Sequence, residues 1–312
     1  YTEFTTLGDT FRYLNGPRAW EGSWFYSSTI MMDSLASTFA KLFGIYLGNF
    51  PFLVISFIGI YYPVSKINLT KKQLLGLLAL LSLPSFGVWT SIASKESVSV
   101  FFLGMMLAAY IDIYERRPIE NKILLIISVY LCLIFKPQYI IGVFAIFSFA
   151  YLSRKFELNA AVKIVLFLMM IFVGSSALYY FRDIIDGLSK AMPEHFSLEG
   201  GSTRANTIWV EQYDFFKNAA YGMYIAFVGP TVEEAFSKPT HLMAWVESMI
   251  ILGVFGALSF KYVLTAVLRS RVNIMFLCGF TLVTFWMLMV HYPFGALNPG
   301  SAIRYRESFY AF

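Results

Sequence analysis

The sequence predicts an all-α protein, a polytopic membrane helix bundle of about eight or more spans, each needing about 20 apolar residues. Three observations predict this class. Of the 312 residues, 58% are hydrophobic and only 14% are charged, whereas soluble domains run near a quarter charged. The mean hydropathy is +0.63. Aromatic residues make up 19%, and many of the 20 Tyr and 6 Trp stand near the ends of apolar runs, where amphipathic rings favour the headgroup level.

Residues 1–49 read as a loop followed by a helix lying in the membrane interface. In 27–47, "SSTIMMDSLASTFAKLFGIYL", Asp33, Lys41 and a run of hydroxyl residues argue against a span. Apolar residues at 30, 31, 35, 39, 42, 43 and 46 instead suit an interfacial helix. Runs of bilayer length follow at 50–65, 73–92, 97–114, 164–181, 242–267 and 273–291. The stretch 123–152 is too long for one span and carries Lys136-Pro137 at its centre; proline removes a helix donor and disfavours helix before it. It reads as a tight hairpin of two short spans, and 73–114 reads the same way with Lys95-Glu96 at its turn. Residues 182–240 form a long polar loop in which "FFKNAAYGMYIAFVGP" returns to the membrane surface, and 241–312 hold the last spans and a final loop. With no internal repeat and no low-complexity segment, residues 1–312 read as a single transmembrane domain.

The charges set the topology. The connections Lys66 to Lys72, Glu115 to Lys122, Arg154 to Lys163 and Arg269 to Arg271 hold 11 Lys/Arg and 3 acids, which makes them cytoplasmic by the positive-inside rule. The opposite face receives 1–49, the Lys95-Glu96 and Lys136-Pro137 turns, 182–240 and the tail from His291. The net charge of +5 lies in short clusters between apolar runs, a pattern of topology and not of nucleic-acid binding. Cys132 and Cys278 stand inside apolar runs, so neither a disulfide framework nor a Cys-based zinc site is indicated. The chain begins at Tyr1 without a Met and ends in "ESFYAF", which resembles the opening of another span, so it reads as part of a longer chain. The absence of a signal peptide then carries no information.

Chemistry would sit where charges meet the membrane. A charge at bilayer depth costs about 2.5 to 3.5 kcal/mol on insertion scales and normally faces a bundle interior or a wet cavity. Lys95 and Glu96 are adjacent at a turn, either as an ion pair satisfying that turn or as part of a site. Lys136 in "IFKPQY" has no acidic neighbour in sequence; it either snorkels at a short helix end or holds an anion. In "NPGSAIRYRESF", Arg304 and Arg306 flank Tyr305 and would fork around a phosphate if the segment is extended. Arg204 in "GGSTRAN" lies next to glycines that permit close backbone approach. The acid-base candidates on this face are Asp9, Glu96, Glu247, His291 and Glu307. Asp9 in "LGDTFRYLNG" is the foremost base, with helix N-capping as its plainer role. Arg12, Tyr305 and Glu247 are supporting residues. No Walker A loop, HExxH, Gly-x-Ser-x-Gly or paired acidic metal motif occurs.

"GDTFRYLNG" before an interfacial helix, then "LPSFGVWTSIASKES", "IFKPQY", "GGSTRAN", "FVGPTVEEAFSKPTHLMAWVE" and "SAIRYRESFYAF" resemble the multi-span proteins of bacterial polysaccharide gene clusters with a GT-C-like architecture. These are membrane glycosyltransferases and oligosaccharide-unit polymerases that use polyprenyl-linked sugars. The likeness spans most of the chain through loose motifs. It implies a base role for Asp9, joined by Glu96 and His291 as further catalytic candidates, and a lipid-phosphate role for Lys95, Lys136, Arg204, Arg304 and Arg306. A first span should precede the Asp9 loop and is missing here. The lack of a second acid beside Asp9 departs from the metal-dependent branch, so neither metal nor cofactor is expected.

The implied activity is transfer of a sugar from a polyprenyl-(pyro)phosphate donor to a glycan or lipid acceptor, at the extracytoplasmic face of the bacterial inner membrane. Other polysaccharide-export proteins are expected partners, and nucleic acid is not. A repeat-unit polymerase is the second reading, favoured by several arginine-bearing outer loops. A lipid-linked glycan transporter is the third, and would show internal symmetry and midplane broken helices. A scaffold subunit is the fourth and would not need clustered outer cations.

Overall fold

The computed structural model describes residues 8–16, 22–195, 203–268 and 272–310. Among them the secondary structure is helical, with no strand. The basic connection Arg269 to Arg271 lies outside the described residues. The chain divides into two compact units, residues 1–140 with 306–312 and residues 141–305.

The first unit holds α1 (Thr10–Asn15), α2 (Ser28–Leu47), α3 (Phe50–Ser65), α4 (Lys71–Leu81), α5 (Pro84–Ser91), α6 (Lys95–Tyr114) and α7 (Lys122–Phe135). Their starts follow local chemistry. Thr70 and Gln73 form a capping box on α4, Pro84 stands in the first turn of α5, Ser94 caps α6 and Asn121 caps α7. The α4 to α5 break bends the path by 73°.

Helix α6 is the axis of this unit, with fourteen buried residues. It runs parallel to α3: Asn49 Oδ1 accepts the Ala93 N–H at 2.8 Å, Ser56 donates to the Ser97 carbonyl at 3.2 Å, and Lys66 reaches Asp112 at 2.7 Å. The two backbones meet where both side chains vanish. A Cβ on Gly104 would lie 1.7 Å from the Gly59 carbonyl oxygen, so only glycine permits this crossing.

Helix α2 meets a single end of α6. Its Ser28 and Thr29 hydroxyls lie 3.0 Å from the Lys95 ammonium, and Asn49, two residues past its last turn, bonds Ala93. The reversal occurs at Gly44, whose φ of 82° is open to glycine at little cost. A helix traversing beside α6 would carry its second end about 30 Å away.

A turn of 3₁₀ helix, Pro137–Tyr139, follows α7, and α8 (Ile140–Lys155) carries the chain into the second unit. There follow α9 (Ala160–Tyr180), α10 (Arg182–His195), α11 (Asp214–Lys217), α12 (Ala219–Val228), α13 (Val232–Ala235), α14 (Pro239–Leu268), α15 (Ile274–Gly295) and α16 (Pro299–Arg306). Its core is aromatic: Trp209, Phe215 and Tyr292 pack with Ile208, Ile225 and Leu297, and the Trp209 indole donates to the Tyr292 hydroxyl at 2.6 Å. The expected long loop is thus largely folded, with α10 to α12 covering this core.

Among the described residues, five helices are long and apolar enough to cross a bilayer: Ser28–Leu47, Lys95–Tyr114, Ala160–Tyr180, Pro239–Ala266 and Ile274–Gly295. The number rises to seven if each bent pair, α4 with α5 and α7 with α8, is one span. This is fewer than the eight or more expected from sequence. The physical reason is length: α3 and α8 have 16 residues and α7 has 14, and 16 residues of helix reach only about 24 Å. The molecule is a helical membrane bundle with several apolar helices.

Candidate functional site

The first unit gathers charge at the N-terminal end of α6. Ser94 Oγ accepts the Ser97 N–H at 3.1 Å, which starts the helix one residue before the charge pair. Lys95 and Glu96 therefore occupy the first helical turn and not a loop. Glu96 is buried, and its carboxylate lies where the helix dipole favours negative charge. Lys95 turns away along α2, donating to Ser28 and Thr29.

Asp9 stands at the N-cap position of α1 but makes no side-chain capping bond. Its carboxylate instead accepts the Tyr13 hydroxyl at 3.4 Å and lies 3.7 Å from Arg12 Nε. The Arg12 guanidinium also approaches Asp33 of α2 at 3.9 Å. Arg12 and Asp9 keep 51% and 52% of their side-chain surface exposed. Tyr13 is buried; burial first, then the charge of Asp9, push its phenol well above the ordinary range, and Glu96 adds to the shift. Tyr13 is thereby held protonated, a donor to Asp9. A second carboxylate, Asp33, thus joins Asp9 through Arg12, where the sequence offered none beside it. Its Oδ1 is buried with no hydrogen-bond partner among the described residues. The signal was present as an acid inside an apolar-patterned helix.

The same unit places the Lys136 turn beside the segment after α16, with the Tyr139 and Phe309 rings edge-to-face at 6.4 Å. Lys136 is buried, and its backbone carbonyl accepts from the Cys132 thiol and the Tyr139 N–H. The Arg306 guanidinium is also buried, donating twice to Glu307 Oε1 at 3.2 and 2.8 Å. The expected fork of Arg304 and Arg306 around a phosphate does not form. That segment is helical and not extended, and positions two apart on a helix face different ways. Arg304 instead lies over the Tyr305 ring and donates to its hydroxyl at 3.0 Å.

In the second unit, Arg204 is a clamp. Nε and Nη2 bond both Glu234 oxygens at 2.6 and 2.5 Å, Nη1 donates to the Ala296 carbonyl at 2.9 Å, and Nη2 also reaches the Gly229 carbonyl. With four hydrogen bonds made inside the fold, Arg204 ties α13 to the end of α15, so its guanidinium is engaged by protein where a phosphate role was expected for it. Burial raises the Glu234 carboxyl, but the Arg204 bond and the Thr231 N–H outweigh it, and its pKa falls below the ordinary value. His241 Nδ1 approaches the Glu234 carbonyl at 3.3 Å. His291 Nε2 donates to the Ala226 carbonyl at 2.8 Å, joining α15 to α12, and Glu247 is buried within α14.

No family model matches the chain, and no curated protein or solved structure is significantly similar to it. The site is therefore read from its own chemistry.

A cluster outside the expected set closes the other end of α6. Lys66 reaches Asp112 at 2.7 Å and Glu120 at 3.0 Å, with Tyr62 donating to Glu120 at 3.3 Å. The Glu120 carboxyl is held below its usual range, chiefly by the Lys66 hydrogen bond. This draws the connections 66–72 and 115–122 together through Lys66 and Glu120. Asp112 in "YIDIYERR", an acid within an apolar run, was the available signal. Among the described residues no three His, Cys, Asp or Glu side chains form a metal-binding group.

Proposed function

We propose that this chain is a membrane glycosyltransferase of GT-C-like architecture that moves a sugar from a polyprenyl-linked phosphate donor to a glycan or lipid acceptor. The observation that carries this reading is Asp9, a half-exposed carboxylate that does not cap its helix and is held by Tyr13 and Arg12 in the region of Lys95 and Glu96. The acceptor hydroxyl attacks the anomeric carbon, the bond from that carbon to the phosphate oxygen breaks, and the polyprenyl phosphate leaves as an anion. The hydroxyl proton goes to Asp9. Lys95 and Lys136 supply positive charge where the leaving phosphate develops its own.

In this reading α2 lies in the interface, which accounts for both of its ends meeting one end of α6. The basic connections then face the cytoplasm of a bacterial inner membrane, and the Asp9 end faces outward. The polymerase reading is weakened by the arginines it relied on: Arg204 is consumed by Glu234, and Arg306 is paired with Glu307.

The test is mass spectrometry of lipid-linked glycans from cells lacking the gene, complemented with wild type or Asp9→Asn. Accumulation of units one sugar short, uncorrected by Asp9→Asn, is the expected result. Accumulation of intact single repeat units would instead identify a polymerase, and no accumulation would remove the glycan reading altogether.

A further inference from the structure

Helix α10 carries two apolar stripes, and only one has a protein partner. Ile185 and Met192 pack against the core around Trp209, Phe215 and Tyr292. Between them Asp186 and Ser189 are buried, Asp186 accepting the Tyr213 N–H at 2.7 Å and Ser189 donating to the Asp186 carbonyl at 2.8 Å. This face fixes the rotation of the helix. The other stripe follows i, i+3, i+7 spacing: Phe181, Ile184 and Leu188 are 48%, 60% and 64% exposed. Monomeric soluble surfaces rarely keep such an apolar ridge bare.

The chain itself indicates what covers this ridge. A single residue, Phe181, separates α10 from α9, a candidate span of which no residue is buried. At the junction Tyr179 and Tyr180 are 68% and 78% exposed, and Arg182 lies 4.3 Å over the Tyr179 ring. Exposed Tyr with an adjacent Arg is the composition found at the headgroup level, where a ring is half in lipid and a guanidinium reaches water. The polar groups of α10 are largely engaged within the fold: Lys190 pairs with Asp186 at 2.9 Å, and the Tyr213 hydroxyl donates to Asp183 at 2.7 Å. Attraction to anionic lipid is therefore not what drives the contact.

We propose that α10 is a second interfacial helix, resting its Phe181, Ile184 and Leu188 ridge in the acyl-headgroup boundary of the bilayer and so docking the Trp209 core on the membrane surface. The contact is apolar, so neutral phosphatidylcholine suffices. It does not depend on the transfer reaction.

The test uses the full chain in phosphatidylcholine nanodiscs, with Ile184→Cys, Leu188→Cys or Glu194→Cys labelled by an environment-sensitive fluorophore. Cys132 and Cys278 are buried and stay in place, and the unsubstituted protein reports background labelling. Labels at 184 and 188 are expected to emit at shorter wavelength, to be quenched several-fold more than 194 by shallow nitroxide lipids, and to be largely protected from aqueous iodide. Iodide quenching at 184 and 188 equal to that at 194 would overturn the proposal. So would protection from both quenchers, which would mean that protein covers the ridge.

Discussion

The charged groups of the two units use the same residue types to opposite ends. In the second unit, Arg204 meets Glu234, Gly229 and Ala296 at hydrogen-bond distance and largely out of water. In the first unit, Arg12 stands 3.7 and 3.9 Å from Asp9 and Asp33, half in solvent. Saturation makes the first arrangement a structural clamp, since breaking it leaves buried partners unpaired. Slack makes the second available: the half-exposed Asp9 carboxylate can accept a further hydrogen bond without dismantling the fold. Sequence alone ranked Arg204 with the site residues because a charge near glycines in an outer loop looks the same in either role.

The sharpest way to break this contrast is to remove the clamp. Arg204→Ala strands the Glu234 carboxylate and two carbonyls, and should cost about 3 kcal/mol of stability. The measurement is thermal unfolding of the detergent-solubilised protein. A change as small as that of a surface substitution would show that the clamp is not structural.

Acid should loosen the same clamp by a smaller, graded amount. The folded pKa of Glu234 is depressed, so its contribution is full above the ordinary glutamate value of about 4.3 and is lost as pH falls through the lower folded value. Glu234→Gln should therefore be less stable than wild type at neutral pH. That gap should narrow as the pH is taken below the ordinary carboxylate range. A gap independent of pH would assign the stabilisation to shape and not to charge.

These two clusters mark the boundary of what the sequence could disclose. The spans at 95–114, 160–180 and 274–295 and the break at Lys136-Pro137 follow from apolar run length and from proline, which are local properties. The start of α6 depends on Ser94, also local, yet it moved Lys95 and Glu96 from a loop into a helix. The pairings are not local. Arg204 finds Glu234 across 30 residues and Lys66 finds Asp112 across 46. Charge patterns identify which residues need partners; only packing of α3 on α6, or of α13 near the end of α15, decides which partners they receive. The Arg304 and Arg306 fork failed for the same reason, since it assumed an extended segment that the structure folds as helix.

Arg12→Ala addresses the slack cluster and should have a modest effect. Two contacts beyond 3.5 Å from a half-exposed guanidinium, one of them to the more enclosed Asp33, contribute under about 1 kcal/mol. Raising the salt concentration should reduce the difference from wild type further. A loss comparable to that of Arg204→Ala would mean that the cluster is a second clamp.

Asp9→Asn should have the smallest structural effect and separates the two roles most cleanly. Asp9 is half-exposed, and its carboxylate makes no capping bond to α1, so an isosteric amide should alter stability by less than about 0.5 kcal/mol. An amide oxygen can still accept from Tyr13, but it cannot take up a proton from an attacking hydroxyl. Unchanged melting with lost glycan transfer would place Asp9 in the chemistry. Unchanged melting with retained transfer would leave it a solvated helix end and move the search to Asp33, the carboxylate on the far side of Arg12.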